Sequence, residues 1–489
     1  MAYDDVISML GNFGRYQRRT YLILCLPVIL CAFQDFSNTF LQAKPKHRCQ
    51  LPSEFSNSTY DLSFEVLNAS FPYDSVTGKY SSCSVLFNGT EVSCDEYIYD
   101  YTKYKSSIVI EWNIVCNQAY LTALGDSIFM FGILLGSVIF GVLSDKLGRR
   151  ITFFIAIVLQ VIFGLLMGVA PNFWYYTIFR LVVGSAVAGV YFTAYVLAIE
   201  MVGPKDRLKA AVIYSMFFSL GFMLVALFSY FISSWRYLQI SLTLPGVLFF
   251  CYWWFIPESI RWLLIKGRIE EAKKIVGVAA KENKVNIPDD HLHCLLSSDL
   301  KNRNSKEYSA TVLDIFKHRK LVKTSLILFF DWMVISMTYY GLSWNTSSLG
   351  GNDYINFVIC GAVEFPSYFF LLMTLNRWGR KYVLCGSMAT AGVALMLTLV
   401  VPKDYHWATV TLAMIGKLAI TSSYGVMYIF SAEIFPTVVR NAGLGLSSVC
   451  ARIGSISAPF INLTVSKWAV NDLDERELEK LNVIEKCEN

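Results

Sequence analysis

Eleven stretches of about twenty mainly apolar residues recur along this chain of 489 residues, near 21–41, 120–143, 151–169, 173–199, 210–232, 237–256, 321–342, 354–375, 382–401, 407–430 and 438–468. A hydrocarbon core about 30 Å thick takes roughly twenty such residues per helix, so each stretch has the length of a membrane span. Only 16% of the residues are charged, against about 25% in a soluble domain, too few to cover so large a core with polar groups. The same numbers exclude a disordered, collagen-like or nucleic-acid-coating chain. The expected class is an all-α polytopic membrane protein embedded in a lipid bilayer. The first stretch follows twenty polar, patterned residues and no small-residue cleavage site follows it, so it reads as a span and not as a removable leader.

Lysine and arginine in short loops predict the orientation. Arg15, Arg18 and Arg19 precede the first span, and Lys146, Arg149 and Arg150 separate the second and third. Lys205, Arg207 and Lys209 follow the fourth, Arg377, Arg380 and Lys381 the eighth, and Arg440 the tenth. The opposite short loops hold only Arg236 and Lys403. The amino terminus and the basic linker 257–320 are therefore expected in the cytoplasm, and the long segment 42–118 outside. That segment carries glycosylation sequons at Asn57, Asn68 and Asn88, with another outside at Asn345. It also holds Cys49, Cys83, Cys94 and Cys116, which predict two disulfides with three pairings open.

The chain repeats itself. Asp145-Lys-Leu-Gly-Arg-Arg150 returns 231 residues later as Asn376-Arg-Trp-Gly-Arg-Lys381, and Glu200-Met-Val-Gly-Pro-Lys-Asp-Arg207 returns 233 residues later as Glu433-Ile-Phe-Pro-Thr-Val-Val-Arg440. A parallel repeat of two six-span halves fits these offsets. The expected organisation is an amino-terminal half over 1–256, a linker over 257–320, a five-span half over 321–468 and a polar acidic tail over 469–489. Adding the offset to the sixth span predicts a twelfth at 470–489, yet those residues are too polar to cross lipid, so the twelfth helix is expected to be missing. Asp145, Arg149, Arg150, Glu200, Arg207, Arg377, Arg380, Glu433 and Arg440 form the candidate gating set. In it Asp145 is expected to accept bonds from a helix amino terminus of the other half, latching one face. Anchoring at lipid headgroups is the alternative, though anchoring requires no acids.

These motifs resemble the major facilitator superfamily. Gly141-Val-Leu-Ser-Asp-Lys-Leu-Gly-Arg-Arg150 is similar to its loop between spans two and three, and Pro257-Glu-Ser-Ile-Arg-Trp-Leu-Leu264 to its motif after span six. Ser106-Ser-Ile-Val-Ile-Glu-Trp-Asn-Ile-Val-Cys116, Ser431-Ala-Glu-Ile-Phe-Pro-Thr-Val-Val-Arg-Asn441 and Ala451-Arg-Ile-Gly-Ser-Ile-Ser-Ala-Pro-Phe460 resemble solute carrier family 22, the organic-ion branch. Gly341-Leu-Ser-Trp-Asn-Thr346 and Thr374-Leu-Asn-Arg-Trp-Gly-Arg380 look like its invertebrate organic cation transporters. The resemblance implies a multi-pass plasma-membrane carrier working by alternating access, with a small organic ion as substrate and a co-transported ion as a possible partner.

Ionisable residues inside a membrane cost several kcal/mol and face a partner or a wet path. Asp126, Arg180, Asp331, Glu364, Lys417 and Arg452 lie well inside spans. The resemblance implies a substrate-lining role for Glu364, with pairing to Lys417 or Arg452 as the alternative. Asp331 has two readings, substrate contact or a neighbouring helix. Arg452 stands where the family's anion and carnitine branches carry arginine. Together with Glu364 it would suit a zwitterion such as carnitine, and alone an organic anion. It could otherwise neutralise Glu364 or Asp331. Lys417, Thr421, Tyr424 and Tyr428 share one helical face, read either as a cation-binding stripe or as packing, with Tyr339 and Tyr340 as weaker candidates. No phosphate-binding loop and no nucleophile–base constellation occurs, so no enzyme, ATP-driven pump, cofactor or nucleic-acid partner is expected. His291-Leu-His-Cys294 is not expected to hold metal. A sugar carrier, and a transport-inactive partner of a complete carrier, are the rival readings.

Overall fold

The computed structural model describes residues 2–51, 54, 59–74, 79–285, 315, 317, 319–375, 377–402, 405–436, 439–440 and 442–464. Among the described residues, ten helices are long and apolar enough to cross a membrane. They are Arg15–Leu41, Cys116–Leu147, Arg149–Gly168, Phe173–Glu200, Arg207–Phe231, Arg319–Trp344, Asp353–Thr374, Arg380–Thr398, His406–Ile434 and Ala442–Thr464. The expected sixth span differs: an α-helix, Trp235–Thr243, passes into a 3₁₀ helix, Leu244–Trp254. Pro245 and Gly246 stand at the junction, where the missing N–H of proline and the poor helix propensity of glycine remove the case for a continuous α-helix. The tail 469–489 and the cluster at 291–294 lie outside the described residues.

The eighth span is interrupted as well, as Asp353–Ala362 and Glu364–Thr374. Pro366 cannot donate to the preceding turn, so the break sets Glu364 at the start of the second piece. Elsewhere helices approach by means of glycine. A Cβ on Gly132 or Gly136 of the second span would run into the Leu181 or Ser185 carbonyl of the fourth, and one on Gly184 into the Phe129 carbonyl. Small residues spaced four apart let helix backbones touch where lipid offers no hydrophobic drive.

The internal repeat is visible at the level of single bonds. Gly148 (φ +106°) and Gly379 (φ +80°) turn the chain before the third and ninth spans. Arg149 Nη1 then donates to the Ser144 carbonyl at 3.0 Å, and its repeat mate Arg380 Nη1 donates to the Leu375 carbonyl at 3.4 Å. Arg207 Nε donates to Val202 O at 3.2 Å and Arg440 Nε to Phe435 O at 3.3 Å. Each arginine thus closes a helix end over the fifth residue before it, in both halves.

The segment between the first two spans folds into small antiparallel hairpins, pairing His47–Cys49 with Tyr97–Tyr99, Tyr73–Asp74 with Lys79–Tyr80, and Ser84–Phe87 with Thr90–Ser93. Cys49 bonds Cys94 and Cys83 bonds Cys116. His47 is buried against the second bridge, and its sulfurs are thereby taken from any metal. At the opposite end, Ala2–Met9 and the linker helices Ile260–Ile265 and Ile269–Asn283 share a separate small core.

Candidate functional site

Three pairs of opposite charge occupy the interior. Glu364 and Lys417 are fully buried and lie 3.0 Å apart. Tyr339 donates to Glu364 Oε1 at 2.7 Å, Ser219 donates to Oε2, and Lys417 Nζ donates to Ser343 at 2.6 Å. The ammonium also stands over the Tyr339 ring, 3.4 Å from its centroid. Glu364 therefore has the partner Lys417, one of the two alternatives read from the sequence. Ser219 comes from the other half, so this carboxylate ties the fifth span to the eighth. Asp126 and Arg180 form a second pair at 3.4 Å, with Asn38 donating to Asp126 and Tyr176 to Asn38.

The third pair was not anticipated. Asp35 in the first span is buried and accepts from the Tyr340 hydroxyl at 3.5 Å; Arg452 in the eleventh donates to that same hydroxyl at 3.3 Å. Trp344 donates to the Asp35 carbonyl at 3.2 Å. Arg452 reaches neither Glu364 nor Asp331, correcting both neutralisation readings. Asp331 is half-buried and has no ion pair or hydrogen bond among the described residues. Sequence reasoning passed over Asp35 because it stands among Gln34, Ser37 and Asn38, which look like the polar end of a span. The signal was an acid with another half-turn of apolar residues, Phe40 and Leu41, still to come.

The stripe on the tenth span grades from buried to exposed. Lys417 and Thr421 are buried, Tyr424 is half-buried, and Tyr428 is 44% exposed. Trp332 packs edge-on against both tyrosines, 5.6 and 4.6 Å between ring centres, and donates to Ser431 at 2.9 Å. Tyr339 lies 5.5 Å from Tyr424. An aromatic wall thus runs from the buried Lys417 toward the end of the span that carries Glu433. Beside Lys417, which helps to line it, a small partly open cavity of about 30 Å³ is walled by Leu342, Asn345, Leu349, Cys360, Ala413 and Met414.

The bonds that join the two halves are distributed unevenly. Besides Ser219–Glu364 and the Asp35–Tyr340–Arg452 chain, Ser127 donates to the Ile456 carbonyl at 2.7 Å, and Tyr104 and Lys103 hold Asp353, the latter at 2.8 Å. Phe40 stacks on Tyr354 at 5.2 Å. All of these lie at mid-span or toward the disulfide-bonded segment.

Among the described residues, Asp145, Arg149, Arg150, Glu200, Arg380 and Glu433 bond within a half or to the linker 257–320. Asp145 is three-quarters exposed and pairs with Arg149 at 2.9 Å, so it does not reach across as expected. The amino terminus of the third span beside it is capped by Glu258, which accepts from the Arg149 and Arg150 amides at 3.0 and 3.2 Å. Arg150 covers the Trp253 ring, Glu200 accepts from Ser259, and Arg380 pairs with Glu433 at 3.0 Å. Arg377 is exposed. Of the sequons, Asn68, Asn88 and Asn345 are exposed, whereas Asn57 lies outside the described residues.

Residues 64–467 match the family model described as "Sugar (and other) transporter". The chain is 53% identical over 482 residues to the Organic cation transporter protein of Drosophila melanogaster, covering 96% of this chain and 88% of that one. It is 34% identical over 478 residues to Organic cation/carnitine transporter 2 of Homo sapiens, covering 94% and 86%. Among solved structures it resembles the proton:xylose symporter XylE bound to 6-bromo-6-deoxy-D-glucose, with TM-score 0.59 at 16% identity over 94% of this chain and 91% of that one.

Proposed function

The chain belongs to the sugar (and other) transporter family, as a member of the major facilitator superfamily within solute carrier family 22, and from that footing we propose that it carries small organic cations or zwitterions by alternating access. It is a membrane transporter and not an enzyme. One observation supports the reading above others: buried opposite charges and a tyrosine wall line the contact between the two halves at mid-span. Charges are tolerated there when paired or when they border water, and Tyr428 is the exposed end of that wall. Glu364, Lys417, Arg452, Tyr424 and Tyr428 are the proposed substrate residues, with Asp331 on the half-buried flank. The basic turns and the sequon-bearing segment support a cytoplasmic amino terminus in the plasma membrane. The Asp145–Arg149 and Arg380–Glu433 pairs, with Arg150, Glu200, Arg207, Arg377 and Arg440, are proposed to rearrange as the basic face closes. Among the described residues the bonds between halves cluster toward the other face, which supports a form open to the cytoplasm.

A monovalent cation gains about 2.3 kcal/mol per 100 mV, close to fiftyfold accumulation, whereas a net-neutral zwitterion gains nothing without a co-ion. Uptake of tetraethylammonium, carnitine, a β-alanine derivative and an aryl carboxylate into vesicles, with and without sodium and at imposed voltage, therefore tests the substrate class and the coupling together. Movement of none of them above passive leak overturns the proposal. An organic anion carrier is the second reading, favoured by the buried Arg452 Nε, which has no hydrogen-bond partner among the described residues.

A further inference from the structure

Among the described residues, seven Asp, Glu, Lys and Arg side chains lie well inside the spans: Asp35, Asp126, Arg180, Asp331, Glu364, Lys417 and Arg452. Two opposite-charge pairs form directly, Asp126 with Arg180 and Glu364 with Lys417. Glu364 is thus already neutralised and is a poor candidate for the acid that balances Arg452. Asp331 is half-buried and makes no bond to it. The remaining acid is Asp35, and it is the one that shares a hydroxyl with the guanidinium. Asp35 is 3% exposed and Arg452 8% exposed. Each still has a buried polar atom without a hydrogen-bond partner among the described residues, Asp35 Oδ1 and Arg452 Nε. The two charges therefore face each other across Tyr340 without closing into a direct ion pair.

We propose that Asp35 is a specificity-determining positioning residue: acting on Arg452 through the Tyr340 hydroxyl, it cancels the guanidinium charge and turns the site toward cations and zwitterions and away from simple carboxylates. The physical ground is that a bare guanidinium in a low-dielectric wall repels a substrate ammonium and captures a carboxylate in bidentate fashion. An acid one hydroxyl away removes that repulsion and competes with an incoming carboxylate. A zwitterion satisfies both members, its carboxylate on Arg452 and its ammonium nearer Asp35. Tyr340 is suited to the bridge, since a phenol both donates and accepts. The two charges come from opposite halves, so their link lies in the contact that alternating access must loosen. This inference rests on the transport reading given above.

The test compares wild type, Asp35→Asn, Arg452→Gln and the double variant, reconstituted in vesicles with tetraethylammonium and p-aminohippurate as probes. Asp35→Asn is expected to lower the ratio of tetraethylammonium to p-aminohippurate uptake by at least about tenfold, the factor set by 1.4 kcal/mol. Tyr340→Phe is expected to shift the ratio in the same direction and by less. Adding Arg452→Gln to Asp35→Asn is expected to bring cation uptake back toward the wild-type rate. An unchanged ratio in Asp35→Asn, or a double variant no better than Asp35→Asn, overturns the proposal. A merely structural Asp35 would lower both uptakes together. Melting temperatures of the same four proteins in detergent provide a readout independent of transport: Arg452→Gln is expected to melt lower than the double variant, and strict additivity overturns the link. Wild-type protein that moves neither probe above leak overturns the transport reading and its charge selection with it, while the melting cycle still decides whether Asp35 and Arg452 are coupled.

Discussion

At the scale of single residues, the buried charges differ in what their removal does. Lys417→Met leaves the fully buried Glu364 without its counter-ion, and breaking a buried pair by removing one partner costs roughly 3–5 kcal/mol. A sharply lower Tm and a lower folded yield are expected, with much of the loss recovered in Glu364→Gln/Lys417→Met; a single variant as stable as wild type would contradict the pairing. Outside the membrane, burial, with Lys44 adding to it, pushes His47 down to about 4 from 6.5. The folded segment thus keeps His47 neutral where the unfolded one takes up a proton. Its stability is full above about pH 6.5 and falls as pH drops toward 4. Protease resistance of the segment between pH 7 and 4 checks the slope, which His47→Gln is expected to flatten. Glu364, Lys417 and Arg452 were legible in the sequence because a charge inside an apolar run is conspicuous. Their partners were not, since nothing in linear spacing says that Arg452 meets Tyr340 and Asp35, residues more than a hundred positions away.

At the scale of elements, the sequence reads best where lipid imposes the rule. Ten of the expected spans are single long apolar helices or an apolar pair broken at Val363, because crossing hydrocarbon demands length and composition alone. The 3₁₀ half of the sixth span was not legible, since its apolar run carries no marker of helix type beyond Pro245 and Gly246. The disulfide pairing was equally hidden, for four cysteines permit three arrangements and linear spacing does not choose the Cys49–Cys94 and Cys83–Cys116 bridges among them. The cap on the third span shows a different gap. The conspicuous acid beside the turn was Asp145, yet the terminus is held by Glu258, whose carboxylate also accepts from the Ser259 amide at 2.8 Å. Glu258→Ala is expected to destabilise the protein by about 1–2 kcal/mol, the size of a lost amino-terminal cap in a partly buried setting. Glu258→Gln should lose less, because it keeps an acceptor. A Tm for Glu258→Ala equal to that of wild type would contradict the capping role of Glu258. Gly148→Ala belongs to the same element, since its Cβ would strike Glu258 Oε2 from a backbone at φ +106°.

At the scale of the whole molecule, two similar halves meet along a seam bonded at mid-span and toward the disulfide-bonded segment. The outermost fastening is Asp353, at the start of the eighth span, held by Tyr104 and Lys103 of that segment. Phe40 stacks beside it on Tyr354. A seam fastened on one face can later open on that face only if those bonds are individually weak, and partly exposed ion pairs and single hydrogen bonds are each worth about 1 kcal/mol or less. Asp353→Asn removes the ion pair with half-exposed Lys103 and weakens the bond from Tyr104. Losing about 1 kcal/mol changes the ratio of the two conformers by about fivefold. The readout is Tyr428, 44% exposed on the opposite slope of the seam. In Tyr428→Cys protein, labelling by a membrane-impermeant thiol reagent from the face of the basic turns is expected to drop when Asp353→Asn is added. Labelling that stays constant would mean that Asp353 fastens the loop to the eighth span without biasing which face is open, and the bias would then rest on the mid-span bonds, Ser219 on Glu364, Tyr340 between Asp35 and Arg452, and Ser127 on Ile456.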